Sequence, residues 1–138
     1  MTEALAFDAV GDGVELGAFS VTEADGRGLL SMSSLDGAPL KESKRQLLIL
    51  ASDARNSGMR FRDTDQHVIE DFGHLPVLIR RMTIGVRFEG SGTFKISPVG
   101  LDGHVRAPVA AVKGGNVVRL SNDTPGGPTT YFLVERTD

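Results

Sequence analysis

Hydrophobic and polar residues alternate through much of the second half of the chain. Between positions 82 and 88, Met82, Ile84, Val86 and Phe88 would share one face and the intervening residues the other. Successive side chains of a strand point to opposite faces, so this period of two predicts a half-buried strand. The same pattern recurs at 93–98, 104–109, 117–121 and 129–136. Pro108 cannot donate to a strand ladder, which predicts an edge position or a bulge there. The second half of the chain therefore reads as a series of strands.

Turn-forming residues separate these segments. They are EGSG at 89–92, LDG at 101–103, KGG at 113–115 and DTPGGP at 123–128. Glycine, proline and aspartate in such clusters mark turns. Asn122-Asp123-Thr124 also fits an N-glycosylation sequon, but the adjoining turn already accounts for these residues.

The first third of the chain agrees with this pattern. Leu30 and Met32 alternate with Ser31 and Ser33, and Asp36-Gly37 has the composition of a hairpin turn. Short strands joined by glycine-rich turns are typical of sandwiches and barrels rather than of βαβ units. We predict an all-β chain, an antiparallel β-sandwich (jelly-roll or Ig-like) of about eight or nine short strands. Its length predicts a single domain over residues 1–138.

The stretch SKRQLLILASDARNSG, Ser43–Gly58, fits two structures. As a helix it would start with a capping box of Ser43 and Gln46, and it would stop at Gly58. As a strand, its LLILA core is a short apolar run typical of a buried sheet position. We favour the strand because tertiary context overrides local helix propensity, and keep the helix as the alternative.

Composition narrows the functional classes. The net charge of −3 offers no basic face for nucleic acid, and the absence of cysteine excludes disulfides, thiolate metal sites and cysteine nucleophiles. No run of 18 apolar residues occurs, so we expect no membrane span. The first ten residues lack the features of a signal peptide, and a secreted parent would contain this chain as a piece or as a processed form. We expect no cofactor.

The most polar segment is RDTDQHVIED. Asp63, Asp65, His67, Glu70 and Asp71 could ligate a hard cation, but the segment lacks the glycine and terminal glutamate of an EF-hand. A solvated loop between Phe61 and the Val68–Phe72 run is the simpler interpretation, and we predict no metal. Paired carboxylates for glycoside hydrolysis would need a cleft that short turns do not provide.

Carbohydrate binding would need exposed aromatic side chains to stack on sugar rings, or polar side chains to hydrogen-bond to them. The chain has no Trp, and Tyr131 is its only Tyr, so stacking on sugar rings has weak support. Polar recognition by neighbouring residues is the other route. Our candidate carbohydrate-binding residues are Tyr131, Asn56, Arg60, Arg62 and Asp63.

Several segments resemble a module of glycoside hydrolases. The string SLDGAPLKESKRQLLILASDARNSGM, Ser34–Met59, resembles one of its strand pairs, with SLDG and NSGM as the distinctive pieces. PVLIRRMTIGVRF, FKISPVGLDGHVRAPVAA and TTYFLVE resemble its later strands. The likeness covers about residues 14–136, and it makes LLILASDA a core strand.

The resemblance implies a non-catalytic role. In that family the module is a β-sandwich, often C-terminal, which packs against a (β/α)₈ catalytic barrel that holds the catalytic glutamates. No catalytic residue carries over to this chain, so we expect an accessory module that supports a barrel and contacts polysaccharide. It would carry an exposed apolar patch for the barrel. The alternative is a free-standing carbohydrate-binding module, which would show an exposed Tyr131 or a polar groove near Asn56 and Arg60.

Overall fold

The computed structural model describes residues 1–8 and 10–138, and strands are its regular elements. In chain order they are β1 (Thr2–Phe7), β2 (Val14–Glu15), β3 (Phe19–Ala24), β4 (Gly28–Ser34), β5 (Arg45–Ser52), β6 (Ala54–Ser57), β7 (Arg60–Phe61), β8 (Ile69–Asp71), β9 (His74–Ile79), β10 (Thr83–Phe88), β11 (Thr93–Val99), β12 (Ala110–Lys113), β13 (Val117–Ser121), β14 (Asp123–Thr124), β15 (Gly127–Pro128) and β16 (Tyr131–Thr137). The all-β prediction is confirmed. The expected eight or nine strands were too few: the described residues form 16, four of which are only two residues long and leave no alternation to detect.

Two antiparallel sheets enclose the core. The larger has the order β1-β4-β5-β16-β11-β12, and the smaller has the order β13-β10-β3-β2. Phe88 from the smaller sheet stacks on Phe94 from the larger, with 5.0 Å between ring centroids. The alternating residues Ile84, Val86 and Phe88 are fully buried, as predicted. The arrangement is that of a β-sandwich; the jelly-roll and Ig-like alternatives stay predictions.

The ambiguous stretch from Ser43 is mainly strand. β5 pairs with β4 on one side and β16 on the other, and Leu48 and Leu50 are fully buried. Ser43 and Gln46, which suggested a helix cap, form hydrogen bonds in and around the loop before β5. Gln46 is buried, and its Nε2 donates to the Leu40 carbonyl at 2.6 Å. The strand prediction is confirmed, and the capping-box pattern reflects loop closure.

The strand predicted at residues 104–109 was wrong. This segment is extended, with the Arg106 N–H donating to the Pro98 carbonyl, but β12 begins only at Ala110. Val105 and Val109 are exposed. Pro108 has no N–H to donate, so regular pairing with β11 starts beyond it.

Residues 54–79 form a projection that we call the arm. It contains the two-stranded sheets β6-β9 and β7-β8, which do not join either large sheet. Every arm residue is half-buried or exposed, so the arm has no core of its own.

Candidate functional site

The arm carries five large apolar side chains that lie close together in the sequence and are exposed. They are exposed by 46% to 78%, although large hydrophobic residues normally supply the core. We call this set the apolar strip, and it comprises Phe72, Leu75, Val77, Leu78 and Ile79.

Both faces of β9 are open. All six residues from His74 to Ile79 are exposed, and within residues 1–8 and 10–138 the strand pairs with β6 alone. A continuous apolar run is typical of a strand that is covered on both faces. An isolated two-stranded sheet is also marginal in water. The composition of β9 therefore fits a covered strand, whereas this chain leaves it open.

A buried asparagine fixes the base of the arm. Asn122 is only 4% exposed, and its Oδ1 accepts from the Met82 N–H at 2.9 Å. Its Nδ2 donates to the Arg80 carbonyl at 2.9 Å and to Ser52 Oγ at 3.2 Å. The Arg80 N–H donates to the Asp53 carbonyl at 2.8 Å. These bonds anchor the point where the arm leaves and rejoins the sandwich. They also occupy the Asn122 amide, so the sequon nitrogen is not free for glycosylation.

A polar groove of about 570 Å³ lies between the arm and the sandwich. One wall comes from the sandwich, the floor from the base of the arm, and the other wall from the arm loop 64–67. The charged residues lining it are Asp8, Arg27, Asp53, Arg55, Asp65 and Arg80. A second open groove, of about 530 Å³, continues along β6 and β9 past Asn56 and Met59.

Arg55 is held rigidly between the two grooves. Its guanidinium donates to Asp53 Oδ2 at 2.8 and 3.1 Å and to Gln66 Oε1 at 2.7 Å. Its Cζ also lies 5.1 Å from the centre of the Phe61 ring, within cation–π range. Arg55 is therefore already neutralised and oriented.

Arg80 is differently placed. Its Nη2 donates to the backbone carbonyl of Asp25 at 2.8 Å, and in the described part of the chain it has no carboxylate partner. A Cβ on Gly26 would collide with this guanidinium, so the glycine makes room for it. Arg80 presents an exposed positive charge to the groove, and none of the described side chains neutralises it.

Two of the predicted carbohydrate-binding residues support the arm's own fold. Asn56 Nδ2 donates to the Phe72 carbonyl at 2.9 Å. The Asp63 carboxylate accepts the N–H groups of Val68 at 2.9 Å and His67 at 3.1 Å. These backbone donors, Val68 first, lower the pKa of Asp63. Residues 62–68 form the loop that the sequence analysis favoured.

The other three candidates are divided between two places. Arg60, on β7, makes a loose ion pair with Asp71 at 3.5 Å, and Arg62 is exposed beside it. Tyr131 is 39% exposed, but it begins β16 and lies between Ile49 and Val99 in the large sheet. Four candidates thus share the arm, and Tyr131 belongs to another part of the molecule.

Sequence reasoning missed the groove residues Asp53, Arg55 and Arg80. One local signal was available, because Asp53 and Arg55 stand two positions apart and can point the same way in an extended segment. Arg80 lies 25 residues further along the chain, so only the folded pairing of β6 with β9 brings it to the groove.

The SLDG motif has a structural role. The Asp36 carboxylate accepts from the hydroxyls of Ser34 and Ser43, both at 2.8 Å. It also accepts the N–H groups of Ala38, Lys44 and Arg45. The two hydroxyl donors are the main cause of a strongly lowered pKa of Asp36. This residue closes the loop between β4 and β5.

Within residues 1–8 and 10–138, no three or more His, Cys, Asp or Glu residues are grouped to hold a metal ion. The same residues contain no helix of the length and apolarity needed to cross a membrane. Comparisons of the chain with protein-family models, curated proteins and solved structures gave no match. The resemblance to a glycoside hydrolase module therefore stays a prediction.

Proposed function

We propose that this chain is a non-catalytic β-sandwich accessory module of a glycoside hydrolase, which supports a catalytic barrel through its arm. The observation that carries the proposal is the apolar strip, exposed along a strand open on both faces. A group of exposed large apolar residues on a folded domain marks a surface for another protein. The resemblance over residues 14–136 supplies the kind of protein, a (β/α)₈ barrel.

The size of the strip favours a partner that is covalently linked. If a partner covered both faces of β9, the exposed fractions of the strip would together equal about three complete side chains, worth roughly 4.5–9 kcal/mol on burial. Association costs about 4–15 kcal/mol in lost translational and rotational freedom. The most favourable combination, about 9 kcal/mol gained and about 4 kcal/mol lost, leaves about 5 kcal/mol, which corresponds to a Kd of roughly 0.2 mM. Such a contact is weak between free molecules. It becomes sufficient within one polypeptide, where the effective concentration reaches the millimolar range.

The test measures docking on barrels directly. The purified chain is added at about 0.5 mM, above the best-case Kd of roughly 0.2 mM, to a panel of glycoside hydrolase (β/α)₈ cores lacking their own β-sandwich. The melting temperature of each core is then measured. We expect at least one core to be stabilised by the wild-type chain and not by Leu75→Asp. Leu101→Asp is the matched control, because Leu101 is 82% exposed on a turn outside the arm. Stabilisation of no core, or equal stabilisation by Leu75→Asp, would contradict the proposal.

A free-standing carbohydrate-binding module is the second candidate. The groove beside Asn56 and the partial exposure of Tyr131 favour it. Its test is retention of the chain on cellulose, xylan, mannan, agarose and β-glucans. Saturable retention that Tyr131→Ala or Arg60→Ala weakens would support this function over the accessory role. No retention on any of these glycans would reject it.

A further inference from the structure

We infer that the groove between the arm and the sandwich binds a sugar acid, with Arg80 holding its carboxylate. The ligand class rests on the proposed link to polysaccharide, but the groove has a lining of its own, which adjoins the apolar strip where Arg80 follows Ile79. None of the five strip residues lines this groove. The site also excludes all five carbohydrate-binding candidates from the sequence.

The size and lining of the groove suit a small polar ligand. Its volume of about 570 Å³ lies within the range of pockets that hold small molecules. The lining side chains are mostly charged or polar, so recognition would rely on hydrogen bonds rather than on stacking.

The pairing of the charges identifies where an anionic group would bind. Arg27 is paired with Asp8 at 3.2 Å, and Arg55 is paired with Asp53 at 2.8 Å. Among the residues that the structure describes, the Arg80 guanidinium has only the Asp25 backbone carbonyl as its partner. A guanidinium binds a carboxylate through two parallel N–H donors, so Arg80 is the position for a ligand carboxylate.

The acidic residues of the groove limit the charge of that ligand. Asp8, Asp53 and Asp65 line the same space and would repel a multiply charged phosphate. Carboxylate oxygens readily accept hydrogen bonds from hydroxyl groups. A ligand with one negative charge and several hydroxyls satisfies both requirements, and a uronic acid residue of a glycan has this chemistry.

Isothermal titration calorimetry of the 138-residue chain tests the inference. The probes are trimers of galacturonic, glucuronic and mannuronic acid, each compared with its methyl ester, which keeps the hydroxyls and removes the charge. We expect at least one acid to bind about 10- to 100-fold more tightly than its ester, the factor for one charge-assisted contact. Arg80→Gln should lose the same factor. Arg119→Gln should bind within about twofold of wild type, because Arg119 pairs with Glu23 outside the groove.

The outcomes separate this site from the docking surface. Leu75→Asp should leave binding of the acid unchanged, so failure of barrel docking would not remove it. Amide chemical shifts that move at Asp53, Arg55 and Arg80 would place the ligand in the groove. Equal binding of acid and ester, wild-type binding by Arg80→Gln, or no binding of any of the three acids would each overturn the inference.

Discussion

Replacing Asn122 with alanine should destabilise the sandwich and loosen the base of the arm. The substitution removes three side-chain hydrogen bonds, to the Met82 N–H, the Arg80 carbonyl and Ser52 Oγ. The Met82 N–H lies in the buried core and would lose its partner. The Arg80 carbonyl would keep the Ser52 hydroxyl, which donates to it at 2.6 Å.

These contacts set the size of the effect. A buried donor left without a partner costs about 1–3 kcal/mol, and each ordinary hydrogen bond contributes about 1 kcal/mol. We therefore expect Asn122→Ala to lower the free energy of unfolding by about 3–5 kcal/mol, a large share of the roughly 5–15 kcal/mol of a typical domain. Asn122 bonds to residues that lie 40 and 70 positions away from it in the chain. Loss of these hydrogen bonds should therefore destabilise the whole fold.

Equilibrium unfolding in urea, followed by far-ultraviolet circular dichroism, measures this change. Asn116→Ala is the matched control, since Asn116 is exposed and should shift the free energy by no more than about 0.5 kcal/mol. Hydrogen exchange at the Met82 amide provides a local readout and should accelerate in Asn122→Ala. If Asn122→Ala unfolded within about 0.5 kcal/mol of wild type, the asparagine would not anchor the arm and the reasoning would be refuted.

Three other substitutions test separate features of the account. Asp36→Asn should lower the urea midpoint of unfolding at pH 7. Because folding lowers the Asp36 pKa, the difference in midpoint between wild type and variant should shrink as the pH falls below about 4. A difference in urea midpoint that stays constant from pH 7 to about pH 3 would contradict a stabilising role for the ionised Asp36 carboxylate. Phe88→Ala removes a fully buried ring stacked on Phe94 and should lower the free energy of unfolding, measured in urea, by about 3–5 kcal/mol. A decrease below about 1 kcal/mol would place this ring outside the core. Leu75→Ser should change the free energy of unfolding by less than about 0.5 kcal/mol, and a larger loss would mean that Leu75 packs within the chain.

The alternation of apolar and polar residues was sufficient to predict the sandwich, but it did not predict where strand pairing stops around Pro108. The buried positions Ile84, Val86 and Phe88 follow from a period of two, because each strand covers the core with one face. The pattern failed around Pro108, where alternation continues but the backbone lacks a donor for the ladder.

The arm was not predictable from this pattern, because a continuous apolar run does not reveal what covers it. HLPVLI would read the same if the sandwich itself covered β9, yet every residue of the strand is exposed. The groove depends on residues far apart in the chain, with Arg27, Arg55 and Arg80 brought together only by folding. Asn122 looked like part of a turn because its partners are distant in sequence.

The most direct test of the central claim is hydrogen exchange across the arm, measured for the free chain and for the chain with a barrel core. In the free chain, the amides of residues 72–79 should exchange faster than those of β5, which lies between two strands of the large sheet. With the core bound, exchange at residues 72–79 should slow strongly, while the Leu75→Asp chain should show no change. Unchanged exchange at residues 72–79 with every core would contradict a docking role for the arm.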